Sequence, residues 1–132
     1  MINVTCAIIV NSRGEIFAAQ RSSSMSLPLK WEFPGGKIEQ NESEESCLIR
    51  EIKEELNIEI RIIKGLPFNI HNYPFVAIKL IPFICIHING EIILKEHVDF
   101  KWLNRNELLD LDWAEADIPI VKYYLDNINA IT

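Results

Sequence analysis

Short runs of apolar residues recur along most of the chain, and they are typical of β-strands. The first two runs, Val4–Val10 and Glu15–Arg21, flank the tetrapeptide Asn-Ser-Arg-Gly, which predicts a hairpin turn. Later runs rich in β-branched and aromatic residues predict four more strands, at Ile58–Gly65, Pro74–Ile86, Glu91–Glu96 and Val98–Leu103.

Two short signals modify this strand pattern. The pair Asn89-Gly90 predicts a hairpin turn between the strands at Pro74–Ile86 and Glu91–Glu96. Pro82 has no N–H to donate to a strand ladder, so we expect an edge strand, a bulge or irregular pairing at that position.

A helix is predicted at about residues 43–56, where apolar residues recur at helical spacing. Ser43 is the expected N-cap, and Asn57 suits the left-handed residue that closes many helices. The expected apolar stripe is formed by Leu48, Ile49, Ile52 and Leu56.

A C-terminal helix is predicted at about residues 117–128, with Asp117 as its N-cap, and a shorter helix within Asn104–Leu109. Strands and helices are thus interleaved along the chain. This order predicts an α/β fold with a mixed sheet between helices.

Length and charge restrict the possible functions. A chain of 132 residues fits a single domain spanning residues 1–132, and it is long enough to bury a real core. The net charge is −6, and the lysines and arginines are scattered, which argues against duplex nucleic acid as a partner. An acidic protein can still bind a phosphorylated small molecule if a divalent cation neutralises the approaching charges.

Cysteine usage and hydropathy indicate a soluble, cytoplasmic protein with no membrane association. Cys6, Cys47 and Cys85 are far apart among apolar neighbours, which is typical of reduced core thiols. No basic leader precedes the first apolar run, so no signal peptide is expected. The longest apolar stretch contains Lys79 and Pro82 and is too short to span a bilayer.

The predicted first helix gathers three carboxylates, Glu51, Glu54 and Glu55, on one face. Like charges at this spacing oppose helix formation by roughly 0.2–0.5 kcal/mol per pair. A solvated acidic face is one interpretation. The other is a site for Mg²⁺ or Mn²⁺, which require several hard oxygen ligands. Gly35 and Gly36, just upstream, would let a backbone carbonyl approach the same ion.

The segment GKIEQNESEESCLIREIKEELNI, from Gly36 to Ile58, resembles the Nudix box. That pattern runs Gly, five residues, Glu, seven residues, Arg-Glu, apolar, any, Glu-Glu, any, Gly, apolar. Every defined position matches except the last glycine, which is Asn57 here. Asparagine is the next-best residue for a left-handed cap, so the departure should cost little.

Three further segments resemble the MutT branch of the Nudix family. They are KWEFPGGKIE, the glutamate Glu96 six residues before Trp102, and ADIPIV at Ala116–Val121. The resemblance implies a Nudix-type α/β/α sandwich with a central mixed β-sheet. It also implies Mg²⁺ as cofactor, with Mn²⁺ a possible substitute, bound by Gly35, Gly36, Glu51, Glu54, Glu55 and Glu96.

The same resemblance implies hydrolysis of a nucleoside diphosphate linked to another group. In the MutT branch, water attacks the β-phosphorus of a nucleoside triphosphate and releases the monophosphate and pyrophosphate. Glu51 and Glu54 are both candidates for the general base, and Arg50 and Glu42 resemble residues that orient the metal ligands.

Four residues are expected to bind the nucleotide: Arg21, Phe33, Lys37 and Asp117. At the position of Asp117 the MutT branch commonly has Asn, which reads oxidised guanine. An ionised Asp is acceptor-only and would face O6 unfavourably unless protonated, and it suits an amino-bearing edge such as cytosine N4 or the N1–H/N2 edge of guanine. Both 8-oxo-dGTP and CTP or dCTP therefore remain open as substrates. Helix capping by Asp117, a surface Arg21, a core Phe33 and a solvated Lys37 are the structural alternatives.

Two other functions remain possible at this stage. A Nudix-like domain can sense a nucleotide without cleaving it, although loss of box carboxylates would favour that role and all are present here. A Nudix hydrolase can also act on another nucleoside diphosphate derivative, although 132 residues leave little room for additional elements. The protein is expected to be a monomer or homodimer.

Overall fold

The structure, a computed structural model, describes the backbone of residues 1–131 and side chains through residue 128. Eight strands form one sheet: β1 (Ile2–Val10), β2 (Ile16–Gln20), β3 (Trp31–Glu32), β4 (Gly35–Lys37), β5 (Glu59–Gly65), β6 (Asn69–Asn72), β7 (Ala77–Asn89) and β8 (Asp99–Leu103). The two α-helices are α1 (Glu44–Leu56) and α2 (Ile118–Ile131), and two 3-10 helices span Arg105–Asp110 and Glu115–Asp117.

The sheet is mixed, as the sequence predicts. Its main path runs β3-β2-β1-β7-β5, while β4 pairs with β1, β6 with β7 and β8 with β2. The strands β1 and β7 are parallel along their length, from Ile2 beside Ile78 to Val10 beside Ile86, and the other pairs are antiparallel.

A hydrophobic core lies on each face of the sheet. Alternation along β1 sends Ile8 into the core beneath α2 and Ile9 into the core beneath α1. Leu48, Ile52 and Leu56 cover one face from α1, and Ile120, Val121 and Tyr124 cover the other from α2. The α/β/α sandwich is therefore confirmed.

Both predicted caps of α1 are confirmed. The Ser43 side chain accepts a hydrogen bond from the Ser46 amide at 3.1 Å, and Asn57 is left-handed with φ of 63°. The predicted apolar stripe is wrong at one position, because Ile49 is 47% exposed whereas Cys47 is buried against the sheet.

Pro82 lies within the long central strand β7, so the expected edge position is wrong, while irregular pairing is found on one side. The β1 ladder continues past Pro82, which is level with Cys6. On the opposite side, β7 changes partner at this point, from β5 at Phe83 to β6 at Leu80. The Pro82 carbonyl accepts the Leu66 amide there at 2.9 Å. The missing N–H thus falls where the neighbouring strands change over.

The predicted strand Glu91–Glu96 is wrong, and with it the hairpin partner that Asn89-Gly90 was expected to join. Residues 90–98 form no strand. Gly90 does turn the chain, with φ of +92°, but the segment then runs along the end of α1. Its amides are used there: Ile93 N–H donates to the Leu56 carbonyl at 3.0 Å. Three short strands, β3, β4 and β6, were not predicted.

The predicted C-terminal helix is present, but its predicted N-cap, Asp117, is wrong. It begins at Ile118, directly after the 3-10 helix Glu115–Asp117, and Asp117 does not cap it. The Asp117 carboxylate instead accepts the Phe33 amide at 2.9 Å. The short helix expected within Asn104–Leu109 is present as the 3-10 helix Arg105–Asp110.

Candidate active site

Arg50 organises the polar face of α1. Its Nε and Nη2 donate to the two oxygens of Glu42 at 2.6 and 3.0 Å, a bidentate pair. Its Nη1 donates to Glu51 Oε1 at 2.9 Å and to Glu54 Oε2 at 3.2 Å. The hydrogen bonds from Arg50, together with the Glu39 amide, lower the pKa of Glu42 to about 2. Glu42 is therefore a fixed anion that orients the arginine.

Beside this ion pair lie two carboxylates that resist ionisation. Burial raises the pKa of Glu51 despite its contact with Arg50, and the charges of Glu54 and Glu96 add to the effect. Burial, followed by the charges of Glu51 and Glu96, raises the pKa of Glu55 to about 9. Glu55 Oε2 is buried and has no hydrogen-bond partner among the described residues. This oxygen is an acceptor without a donor, which is costly unless a cation or proton is supplied.

The two glycines of β4 leave space that this cluster needs. A Cβ on Gly36 would lie 2.2 Å from the carboxyl carbon of Glu51. A Cβ on Gly35 would lie 1.9 Å from the backbone oxygen of Thr5 in β1. The Gly36 carbonyl accepts from Thr5 Oγ1 at 3.3 Å, and successive carbonyls of a strand point to opposite sides. The geometry therefore favours Gly35 over Gly36 as a carbonyl ligand.

Glu96 reaches the cluster through the segment after β7. The Lys95 amide donates to the Glu55 carbonyl at 3.2 Å, so the backbone next to Glu96 is attached to the end of α1. Glu96 is exposed, and its charge contributes to the raised pKa of both Glu51 and Glu55. The charges of Glu54 and Glu96 thus act on Glu51, and those of Glu51 and Glu96 act on Glu55.

These residues fit a divalent cation by their chemistry. They offer hard carboxylate oxygens, including the unpartnered oxygen of Glu55, and an ion would offset the mutual repulsion that raises their pKa values. In residues 1–131 no three His, Cys, Asp or Glu side chains converge closely enough to hold an ion as they stand. Glu51 and Glu54 both accept hydrogen bonds from Arg50 in this arrangement, and the Glu54 side chain is 60% exposed.

A cavity of about 460 Å³ lies on the opposite side of β4 from α1, the helix that carries Glu51, Glu54 and Glu55. Its walls are mostly apolar, and its polar side chains are Arg21, Ser26, Glu32, Lys37, Tyr73 and Asp117. A smaller cavity of about 140 Å³ adjoins it and is lined by Gly35 and Glu55 as well as by Asp117. The two cavities therefore share part of their walls, and the smaller one reaches Glu55 of the carboxylate cluster.

Asp117, 5% exposed, is the buried acid of this pocket. Burial, followed by the charge of Glu32, raises its pKa well above the ordinary value, although the Phe33 amide and Arg21 act in the opposite direction. Tyr73 lines the larger cavity together with Asp117, and Cys6 lines the smaller one. The carboxyl group therefore holds its proton well above the pH at which an exposed aspartate would lose it.

The other predicted nucleotide-binding residues differ in their surroundings. Arg21 lines both cavities and donates to Glu32 Oε1 at 2.9 Å and to the Ser26 carbonyl at 2.6 Å. Lys37 is exposed at the rim of the larger cavity. The Phe33 side chain is 3% exposed and packs against Trp113, with ring centroids 4.7 Å apart, so its ring serves the core.

Two residues at the site were missed by the sequence interpretation. Glu32 lies between the cavities, with one oxygen bound by Arg21 and the other 2.8 Å from His97 Nε2. The His97 side chain is 1% exposed, and its Nδ1 has no partner among the described residues. A charged residue between two aromatic ones, Trp31 and Phe33, was the available signal for Glu32. For His97 the only signal was its position beside Glu96.

The sequence profile described as NUDIX domain matches residues 1–124. The chain belongs to the Nudix family. It is 33% identical to the CTP pyrophosphohydrolase of Escherichia coli K12 over 125 residues, which cover 95% of this chain and 92% of that protein. It is 32% identical to an 8-oxo-dGTP diphosphatase of Proteus vulgaris over 95 residues, covering 72% and 85% of the two chains.

A solved structure supports the same placement within the family. The MutT protein of methicillin-resistant Staphylococcus aureus 252, a Nudix hydrolase, has 44% sequence identity and a TM-score of 0.76, with 96% of each chain covered. This Nudix protein is thus MutT-like, and it is a hydrolase of phosphoric anhydride bonds. Nudix hydrolases generally use a divalent metal, which agrees with the chemistry of the carboxylate cluster. In residues 1–131 no helix has the length and apolar character needed to cross a membrane.

Proposed function

We propose that this protein is a Mg²⁺-dependent pyrophosphohydrolase of nucleoside triphosphates. Its substrates would be nucleotides such as 8-oxo-dGTP, CTP or dCTP, and its role the sanitation of the nucleotide pool. The supporting observation is that an apolar pocket of about 460 Å³ shares Arg21, Glu32 and Asp117 with a smaller cavity that is lined by Glu55 of the carboxylate cluster. A nucleotide whose triphosphate is bound at the carboxylate cluster would place its base in the apolar pocket. The E. coli and P. vulgaris relatives, named for CTP and 8-oxo-dGTP, give the two substrate candidates.

The proposed reaction is hydrolysis at the β-phosphorus. A bond forms between the water oxygen and the β-phosphorus, the bond to the α–β bridging oxygen breaks, and that oxygen leaves with the monophosphate. The other product is pyrophosphate. The ligands of the ion would be Glu51, Glu54, Glu55, Glu96 and the Gly35 carbonyl. When bound, a divalent cation offsets phosphate charge and makes the attacking water more acidic.

The residues of the chain have separate parts in this scheme. Either Glu51 or Glu54 takes the proton of the water as general base. Arg50, held by both oxygens of Glu42, fixes the carboxylate of Glu51. Lys37, at the rim of the larger cavity, is proposed to contact a phosphate oxygen.

Asp117 is the proposed reader of the base. Its Oδ2 is occupied by the Phe33 amide, which leaves Oδ1 for a ligand. When protonated, the carboxyl group can donate to an acceptor such as O6 of 8-oxoguanine. When ionised, it accepts from an amino group such as cytosine N4. The raised pKa of Asp117 favours its protonated form. This form supports 8-oxo-dGTP as a substrate, which an ionised Asp would disfavour.

The test is pyrophosphate release with Mg²⁺ across a nucleotide panel, compared by kcat/KM. The panel contains 8-oxo-dGTP, dGTP, CTP, dCTP and 5-methyl-dCTP, with ADP-ribose as an outgroup. We expect one triphosphate to be clearly preferred. We also expect Glu54→Gln to lower turnover by orders of magnitude, whereas Glu45→Gln, an exposed control on the same helix, keeps it. No turnover of any triphosphate would refute the proposal and leave another diphosphate substrate or a sensing module.

A further inference from the structure

The 3-10 helix Glu115–Asp117 carries Asp117 on only three residues. So short a helix has almost no internal hydrogen bonding, and its amides need partners from outside. The position of the Asp117 carboxyl group therefore depends on how the rest of the protein fastens this segment.

One fastening comes from the β3 side of the pocket. The Ala114 amide, just before the helix, donates to the Trp31 carbonyl at 2.8 Å. The Phe33 amide donates to Asp117 Oδ2 at 2.9 Å. These two contacts hold the start of the segment and one oxygen of the acid.

The other fastening comes from Asn69 in β6 and from Tyr73, the residue directly after that strand. The Ala116 amide donates to the Tyr73 hydroxyl oxygen at 2.9 Å, and Asn69 Nδ2 donates to the Ala116 carbonyl at 3.1 Å. Both polar groups of the residue immediately before Asp117 are thus taken by side chains of one short segment. Tyr73 is buried and lines the pocket beside Asp117, so its contact is shielded from water.

The β6 segment is itself well anchored. It pairs with β7 from Asn69 beside Leu80 to Asn72 beside Ala77, and Leu80 is a wall of the pocket. A continuous series of contacts therefore runs from Leu80 in the pocket wall through Asn69 to the backbone of Ala116.

We propose that Asn69 and Tyr73 form a clamp that positions Asp117 and so sets base selectivity, acting through the Ala116 peptide and not by touching the base. The proposal rests on the proposed function, because it assigns positioning residues to the base-reading acid. Neither side chain belongs to the carboxylate cluster, so the clamp concerns recognition and not the hydrolytic step.

The experiment measures a selectivity ratio: kcat/KM for 8-oxo-dGTP divided by that for dCTP. Both substrates carry the same sugar and triphosphate, and the ratio does not depend on the fraction of folded protein. The variants are Tyr73→Phe and Asn69→Ala, each made in the wild-type protein and in an Asp117→Ala protein. Matched controls on α2 are Tyr123→Phe and Asn127→Ala, at two residues that do not line the pocket.

We expect each clamp variant to move the wild-type ratio toward unity about fivefold, the factor that corresponds to losing one hydrogen bond of about 1 kcal/mol. The change should appear mainly in KM. In the Asp117→Ala protein the same substitutions should leave the ratio unchanged, because the residue they position is gone. The α2 controls should leave it unchanged in both backgrounds.

Two results would overturn the clamp. If neither Tyr73→Phe nor Asn69→Ala alters the ratio in the otherwise wild-type protein, the contacts only stabilise the fold. An equal change in both backgrounds would mean that Tyr73 or Asn69 acts on the substrate without Asp117. If Asp117→Ala alone does not change the ratio, Asp117 does not read the base. That result would reject the base-reading part of the proposed function together with the clamp.

Discussion

Replacing Glu55 by Gln tests the central electrostatic feature of the site, a buried carboxylate oxygen without a partner. Glutamine has nearly the same shape but carries no charge at any pH. Because the pKa of Glu55 in the folded protein is raised from 4.5 to about 9, its contribution to stability is full below pH 4.5. That contribution is lost progressively as the pH rises toward 9, when no divalent cation is present.

The size of the effect follows from the pKa difference. Between pH 4.5 and 7 the unfolded chain loses the proton while the folded protein keeps it, over 2.5 pH units. At about 1.36 kcal/mol per unit this amounts to about 3.4 kcal/mol. Glu55 is partly accessible to solvent, so we reduce this figure to about 2 kcal/mol. The wild-type protein should lose that much more stability over this interval than Glu55→Gln does.

The assay is urea unfolding at pH 4.5, 7 and 9 in the presence of a chelator, followed by the same series with Mg²⁺. Every other titrating group is common to both proteins, so the difference in pH dependence isolates Glu55. The control, Glu45→Gln on the same helix, should behave like the wild type. Mg²⁺ should stabilise the wild type at pH 7 and stabilise Glu55→Gln much less. Identical pH dependence of the wild type and Glu55→Gln would refute the reasoning.

Four further predictions concern the two glycines, the arginine and the buried acid. Gly36→Ala should fold but lose activity, because the new Cβ displaces the carboxylate of Glu51, as thermal melts and turnover will show. Gly35→Ala should lower the melting temperature markedly, because its Cβ would meet the backbone of β1. Arg50→Lys keeps the charge but not the bidentate geometry, and should lower kcat by roughly 10-fold or more with KM little changed. The preference for 8-oxo-dGTP over dCTP should fall as the pH rises, because Asp117 then ionises and ceases to donate; a ratio independent of pH in the wild type would contradict this.

The parts of the fold that the sequence predicts are those specified locally. The caps of α1 depend on Ser43 and Asn57, which act within their own turns. The strand β1 is predicted because its alternating side chains enter both cores. The Nudix box places its carboxylates and Arg50 within one helix and one adjoining turn, so their proximity follows from spacing alone.

The parts that were missed depend on contacts between distant segments. Asp117 has the sequence of a helix cap, but its carboxylate binds an amide 84 residues away. Glu32 and His97 are 65 residues apart and have no joint signal in the sequence. The β6 segment is short and largely polar, and it forms a strand only because β7 offers an edge.

The attachment of residues 90–96 to the end of α1 has a consequence for how freely this chain can vary. The amides of Ile93 and Lys95 bind the last carbonyls of the helix, while their side chains are exposed. Because main-chain groups make this joint, most substitutions at these two positions should leave Glu96 where it is. Proline is the exception, since it removes the donor. Related chains can therefore diverge widely along this segment and still deliver a glutamate to the same place.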